Sequence, residues 1–201
     1  MTYEYDVFLS YRRYGMWPRW VSGIFLEIFK HWLGEELGRD VTIFFDQDME
    51  TGTNWPSRLA NAHAKSRVLV PLWSHQYFTS DWCLTELSLM RAREEQCGFS
   101  SRENPKGLII PAIIHDCEDL PSDIKCIQSI SLHGYTNPLI TINSPTAEKL
   151  SDAISDRWAK DIAHAINSAP EYDASWLNLS HEKFKATYSR NNAKQTQVPR
   201  I

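Results

Sequence analysis

A tryptophan and a glutamate four residues apart, Trp82 and Glu86, lie in the octapeptide Ser80-Asp81-Trp82-Cys83-Leu84-Thr85-Glu86-Leu87. Ser80 or Asp81 can cap a helix start, and Trp82 to Leu87 read as the first turns of that helix. The spacing puts the indole and the carboxylate on one face, one turn apart. A carboxylate stacked beside an indole is partly desolvated, which suits a carboxylate with a single task at a pocket rim. The competing reading is a surface glutamate that favours a helix N-terminus. The octapeptide alone leaves both open, so the elements that must position it decide.

Tyr5 to Tyr11 is a short, apolar, β-prone run and reads as a strand that ends in Arg12-Arg13. Val21, Ile24, Phe25, Ile28, Trp32 and Leu37 then recur at helical spacing, and Gly38 is the expected C-cap. Val41 to Phe45 is a second strand, apolar throughout, as in a sheet covered on both faces. The polar loop from Asp46 to Trp55 is longer than an ordinary connection, and Pro56 opens a short helix with Leu59, Ala60 and His63. Arg67 to Trp73 is a third buried strand. The helix bearing Glu86 follows and runs to about Cys97, with Gly98 ending it. Leu108 to Ile114 is a fourth strand, with Pro111 placing it near a strand end or a sheet edge. Ile130 to Leu132 is a short fifth. Ser144-Pro145 caps a last helix through Leu150, Ile154, Trp158, Ile162 and Ala165, which Pro170 stops. Residues 171–201 differ in character: Trp176, Leu177 and Leu179 are expected to dock, and 191–197, polar and aperiodic, to be mobile.

Alternation of strand and helix implies an α/β fold, a parallel five-stranded sheet with helices on both faces. Such sheets bind ligands outside the carboxyl ends of their strands. Arg12-Arg13, Asp46 to Trp55, and the segment leading to Glu86 all fall at that edge.

Composition narrows the function classes. The chain has 201 residues, 42% hydrophobic and 12% aromatic, enough for one domain of ordinary size with a tail. Its net charge of -4 and the lack of any basic run beyond Arg12-Arg13 argue against nucleic-acid binding. The four cysteines, Cys83, Cys97, Cys117 and Cys126, include no C-x-x-C pair, and no H-E-x-x-H occurs. With no signal-peptide pattern at the N-terminus and no apolar stretch of membrane-spanning length, the expectation is a reduced, metal-free, cytoplasmic protein.

Four blocks in the right order resemble a TIR (Toll/interleukin-1 receptor homology) domain: Tyr5 to Arg13 as its opening strand; Phe44-Phe45-Asp46 to Gly52 as second strand and BB loop; Ser66 to Ser74 as third strand; and Ser80 to Leu87, with the W-x-x-x-E pattern of the catalytic branch, as found in bacterial members. The resemblance covers about residues 3–167 and implies a flavodoxin-like fold, with a TIR domain at 1–168 and an extension at 169–201 that is partly docked and then flexible. Ser100 to Asn143 and the tail match poorly.

The resemblance carries two functions. Many animal TIR domains only assemble. Bacterial and plant members, and one animal axon-degeneration enzyme, cleave NAD+ at the nicotinamide glycosidic bond with the glutamate of W-x-x-x-E, here Glu86. One carboxylate is enough for that chemistry. Nicotinamide in NAD+ is already cationic and departs neutral, so the general acid that ordinary glycosidases need is not required. What remains is to stabilise an oxocarbenium-like ribose. Arg12 and Arg13 can pair with the pyrophosphate or with the acidic loop. Phe8 and Tyr11 can stack on a base, and core packing is the competing reading for Phe8. Trp82 can wall the ribose pocket or pack in the core, and Asp46 joins the substrate-binding set from the same edge. Gly52 and Trp55 lie in the loop that mediates TIR-TIR contact in relatives. His75 and His115 read as surface histidines and Cys83 as packed.

The expected function is therefore an NAD+ glycohydrolase or cyclase in immune or anti-phage signalling, with NAD+ as substrate rather than cofactor. Self-association through the BB loop is expected, along with a separate sensor or effector protein that reads the product. The rival is a non-catalytic assembly module. A nucleoside deoxyribosyltransferase-like enzyme, which also uses a glutamate near the sugar, is a third reading. A phosphorylated receiver domain is rejected, because the third strand ends in Leu72-Trp73-Ser74 where an aspartate would be needed.

Overall fold

The computed structural model describes residues 2–46, 54–117, 120–122 and 124–196. Five strands, β1 (Tyr5–Tyr11), β2 (Ile43–Phe44), β3 (Ser66–Trp73), β4 (Ala112–Ile113) and β5 (Ile130–Ser131), form one parallel sheet in the order β2-β1-β3-β4-β5. The helices are α1 (Trp17–Trp20), α2 (Leu26–Leu37), α3 (Trp55–Ala64), α4 (Asp81–Cys97), α5 (Pro145–Ala153), α6 (Ala159–Ser168) and α7 (Ser175–Thr196). The expected five-stranded parallel α/β sheet is present.

The central pair sets the register. Six residues of β1, from Tyr5 to Tyr11, pair with β3, with Phe8 opposite Leu69 and Tyr11 opposite Leu72. Val7, Val68, Leu69, Val70 and Leu72 are fully buried. Both faces of these strands are covered, so the apolar run is continuous rather than alternating. After β1 the chain turns to one side for β2, then reverses past β1 to β3. Right-handed crossovers place helices before and after that reversal on opposite faces. Accordingly α2 packs with α5 and α6, while α7 packs with α3 and α4.

The outer strands are shorter than expected. The apolar run 41–45 pairs only at Ile43 and Phe44. Of Leu108 to Ile114, only Ala112 and Ile113 form β4, with Leu69 and Ile109 joined by an isolated bridge. Pro111 precedes that strand and has no N–H to donate, but its carbonyl accepts from Ile130 N at 3.2 Å. Two π-turns, Val21–Phe25 and Ile154–Trp158, interrupt the helices of one face. They lie together, with the Trp158 ring 5.4 Å from Phe29 and 6.2 Å from Phe25. Each adds a residue to a turn of its helix.

The last helix is the main departure from expectation. Trp176 is buried, and one helix, whose sequence has no hydropathy period, runs from Ser175 to Thr196. The buried side of α7 is Trp176, Ser180, Phe184 and Thr187, with Asn191 half-buried. These recur at helical spacing, yet three of the five are polar, so hydropathy carries no period there.

Arg93 ties this layer together. Its guanidinium is buried and donates to the carbonyls of Ser66 (2.7 Å), Ala64 (3.1 Å) and His63 (3.2 Å), which end α3 and open β3. It also lies 4.1 Å over the Trp176 ring. Replacing Arg93 with methionine removes a side-chain donor from all three carbonyls. The expected loss is about 3 kcal/mol, read as a lower urea midpoint at unchanged slope. An unchanged midpoint refutes the capping role.

Candidate active site

The edge at the carboxyl ends of β1 and β3 is where the strand order reverses, and a cavity of about 290 Å³ opens there. Its lining joins the end of β1 (Phe8 to Arg13), Asp46 after β2, Trp55 and Leu59 of α3, and Ser80, Trp82, Cys83 and Glu86 at the start of α4. The volume is at the small end for ligand pockets.

Helix α4 starts as its sequence demands. Ser80 is the N-cap, with extended backbone angles and a side chain that accepts from Cys83 N at 3.4 Å; Asp81 is the first-turn acid. This brings Trp82 to the rim and Glu86, one turn deeper, to 7% exposure.

Glu86 Oε2 accepts from Ser10 Oγ at 2.5 Å. Ser10 Oγ also lies 2.9 Å from Tyr77 Oη, whose single proton is shared between Ser10 Oγ and the Cys83 carbonyl 3.3 Å away. The buried chain thus runs from β1 to α4 through the turn Tyr77–Thr79. His63 Nε2 lies 2.9 Å from the Glu86 carbonyl. Burial lowers this imidazole to a pKa of about 3, so it is neutral and donates through Nε2–H. Burial pushes the Glu86 carboxyl up to about 8; the Ser10 bond lowers it in part, and the Asp46 charge raises it further. A carboxyl this far above its ordinary range, at the floor of a pocket, makes Glu86 the candidate functional residue.

The structure brings the other sequence candidates together. Phe8 is buried, stacked on Phe44 at 5.0 Å and edge-on to His63 at 5.2 Å, so it packs in the core as well as reaching the pocket floor. Tyr11 is buried, and burial raises its phenol. Arg12 donates to Ser80 Oγ at 3.4 Å, while its buried Nε has no hydrogen-bond partner among the described residues. Arg13 pairs with Asp46 at 3.3 Å, and Asp46 also accepts from Trp55 Nε1 at 3.3 Å. The Trp55 and Trp82 rings meet edge-to-face at 4.1 Å. Gly52 lies outside the described residues, as do 47–53 generally. His75 and His115 are exposed and do not line the cavity. Cys83 is buried, and burial raises its thiol far from the thiolate range, so it is packed and inert.

Sequence reasoning assigned no role to Ser10, Tyr77 or His63. Ser10 and Phe8 are two apart on one strand and share a face, but nothing local reveals that Ser10 meets Glu86. Among the described residues no cluster of three or more His, Cys, Asp or Glu could hold a metal. No described helix is long and apolar enough to cross a membrane.

Fold and site together define a doubly wound α/β domain with a buried carboxyl group at its switch-point crevice. The chain belongs to the TIR domain family, whose model matches residues 7–141. A disease resistance protein of Arabidopsis thaliana is 25% identical; the match covers 94% of this chain and 16% of that protein. Among solved structures, the TIR domain of the Toll-related receptor TRR-2 of Hydra magnipapillata is 20% identical, with a TM-score of 0.43 over 63% of this chain and 83% of that one. The TIR domains of the activated Roq1 resistosome, which recognises the pathogen effector XopQ, are 18% identical, with a TM-score of 0.37 over 93% of this chain and 99% of that one. At these TM-scores the assignment rests on the family match and the strand order.

The raised carboxyl has a thermodynamic sign. The folded state holds the Glu86 proton between about 4.5 and 8, where the unfolded chain has lost it. Stability therefore falls as pH rises through that window, and the full penalty is present above it. Glu86→Gln removes the penalty, worth about 5 kcal/mol. Its melting temperature should exceed that of the wild type above pH 8, with the gap closing below pH 4.5. A gap independent of pH refutes the ionisation account.

Proposed function

We propose that this chain cleaves the nicotinamide–ribose bond of NAD+, with Glu86 as the catalytic residue. The observation that carries the reading is the Glu86 carboxyl, buried at the floor of an aromatic-lined pocket with one oxygen held by Ser10. The bond between the ribose anomeric carbon and the pyridinium nitrogen breaks. Its electron pair goes to nitrogen, and nicotinamide leaves neutral. The anomeric carbon becomes an oxocarbenium, which the Glu86 carboxylate stabilises across a medium of low dielectric. Water adds to that carbon, and its proton passes to Glu86 or to solvent. An internal nucleophile in place of water yields a cyclic product, and another acceptor yields a conjugate.

The raised pKa fits a cationic substrate. The free protein carries Glu86 mostly protonated at neutral pH. A pyridinium ring entering the pocket favours the ionised form, so charge appears when there is a cation to stabilise. Trp82 and Trp55 form the wall of the ribose site. Arg12 and Arg13 take the pyrophosphate, Arg13 by exchanging Asp46 for a phosphate. Phe8 and Tyr11 complete the floor. The Arabidopsis relative's description as a disease resistance protein supports a role in immune signalling. We assign the protein to the cytoplasm, self-associating through the loop that contains Gly52 and Trp55, with a separate protein reading the product.

The test is to incubate purified protein with NAD+ at high concentration and follow nicotinamide and all adenine-containing products by chromatography. Glu86→Gln should lower turnover by about 10³-fold. If neither protein releases nicotinamide, even with a crowding agent to force assembly, the non-catalytic assembly reading replaces this one. Release by both removes Glu86 from the chemistry.

The pH profile gives a second check. Because the ionised carboxylate is the active form, kcat/KM should rise about tenfold per pH unit and level off above about 8. A profile that falls with pH would instead make Glu86 a proton donor.

A further inference from the structure

Helix α7 reaches the pocket wall from outside the matched TIR segment, which ends at residue 141. Its N-terminal Trp176 meets Arg93 and Gln96 at the far end of α4, and its later turns meet the two turns of α4 that carry Trp82 and Glu86. Thr187 and Thr85 share a hydrogen bond between hydroxyls at 2.7 Å. Phe184 is fully buried, and its ring lies nearly parallel to the Trp82 indole at 6.1 Å and 16°. With its amide oriented to suit its neighbours, Asn191 donates to Asp81 Oδ2 at 2.7 Å and accepts from Trp82 Nε1 at 3.2 Å.

Trp82 and Glu86 are therefore held by different parts of the molecule. Glu86 is fixed by Ser10 of β1 and by His63 of α3. Trp82 meets Trp55 on the pocket side, but its N–H and its parallel ring contact both come from α7. An indole N–H that loses its acceptor must turn towards water or remain unsatisfied. Turning it moves the wall of the pocket.

We propose that Phe184 and Asn191 are positioning residues for Trp82, making α7 a structural part of the ligand site. The positional claim stands on geometry alone; its kinetic consequence rests on the NAD+ reading. Because the Glu86 carboxyl is bonded to Ser10 of β1 and not to Asn191, losing the Asn191 contact should weaken substrate binding and leave the chemical step nearly intact.

The experiment uses the full chain, isotope-labelled, with the Trp82 indole N–H resonance assigned by its loss in Trp82→Phe. Asn191→Leu should shift that resonance and speed its exchange with water, and Asn191→Gln should restore it. Phe184→Leu, which keeps an apolar side chain against His63, should shift it as well. With NAD+, Asn191→Leu should raise KM about fivefold while kcat stays within about twofold, and Asn191→Gln should recover the wild-type KM. An unmoved resonance in both Asn191→Leu and Phe184→Leu overturns the proposal. So does a moved resonance with unchanged KM in a protein that turns over NAD+. If the wild type releases no nicotinamide, the NAD+ reading fails, and the resonance still decides whether α7 positions Trp82.

Discussion

A carboxyl group held below the surface is the constraint around which this molecule is arranged. Removing an ionised carboxylate from water costs several kcal/mol unless it is bonded or neutralised. Here one bond is supplied, from Ser10 to Glu86 at 2.5 Å, and burial shifts the ionisation instead. That bond joins the last residues of β1 to the second turn of α4. Tyr77 extends it to the Cys83 carbonyl, so neither the strand end nor the helix start can move without breaking the chain. The neutral His63 closes the same region from α3. The carboxyl is thus held where ionisation is unfavourable, and the surrounding packing sustains that.

That packing follows from topology. The reversal of strand order at β1 opens a crevice between connections that leave for opposite faces, and the pocket is lined by the second half of β1 and by the segments that follow β1, β2 and β3. The wide apolar core of β1 and β3 gives the crevice a rigid floor. A second layer, α3 with α4 and α7, forms its side wall. Arg93 and Trp176 anchor one end of α7, and Trp82 with Asp81 receives the other. The extension is therefore continuous with the side wall of the crevice.

Much of this was legible in the residues. Apolar runs and helical spacing marked the strands and helices in their right order, and caps such as Ser80, Gly38 and Gly98 stand at the expected ends. The W-x-x-x-E spacing brought Trp82 and Glu86 to one pocket, and Arg12, Arg13, Asp46 and Trp55 converge there because loops after parallel strands share an edge. Strand lengths were overestimated at β2 and β4, since an apolar run reports burial and only pairing makes a ladder. The buried face of α7 went unseen because Ser180, Thr187 and Asn191 dock through hydrogen bonds, which hydropathy does not register.

By itself, then, the sequence determined the strands and helices up to about residue 168, their order and the sheet edge that gathers the polar loops. Periodicity, capping and proline or glycine geometry act over a few neighbouring residues and can be read one segment at a time. Only the tertiary structure decided the partners. Ser10 meets Glu86 across 76 residues, and Thr85 meets Thr187 across 102. Strand register and helix packing set such pairs, and both emerge when the whole core closes. The same closure decided the ionisation of Glu86, because a carboxyl's pKa reports its solvent and its neighbours, and the chain acquires both only on folding.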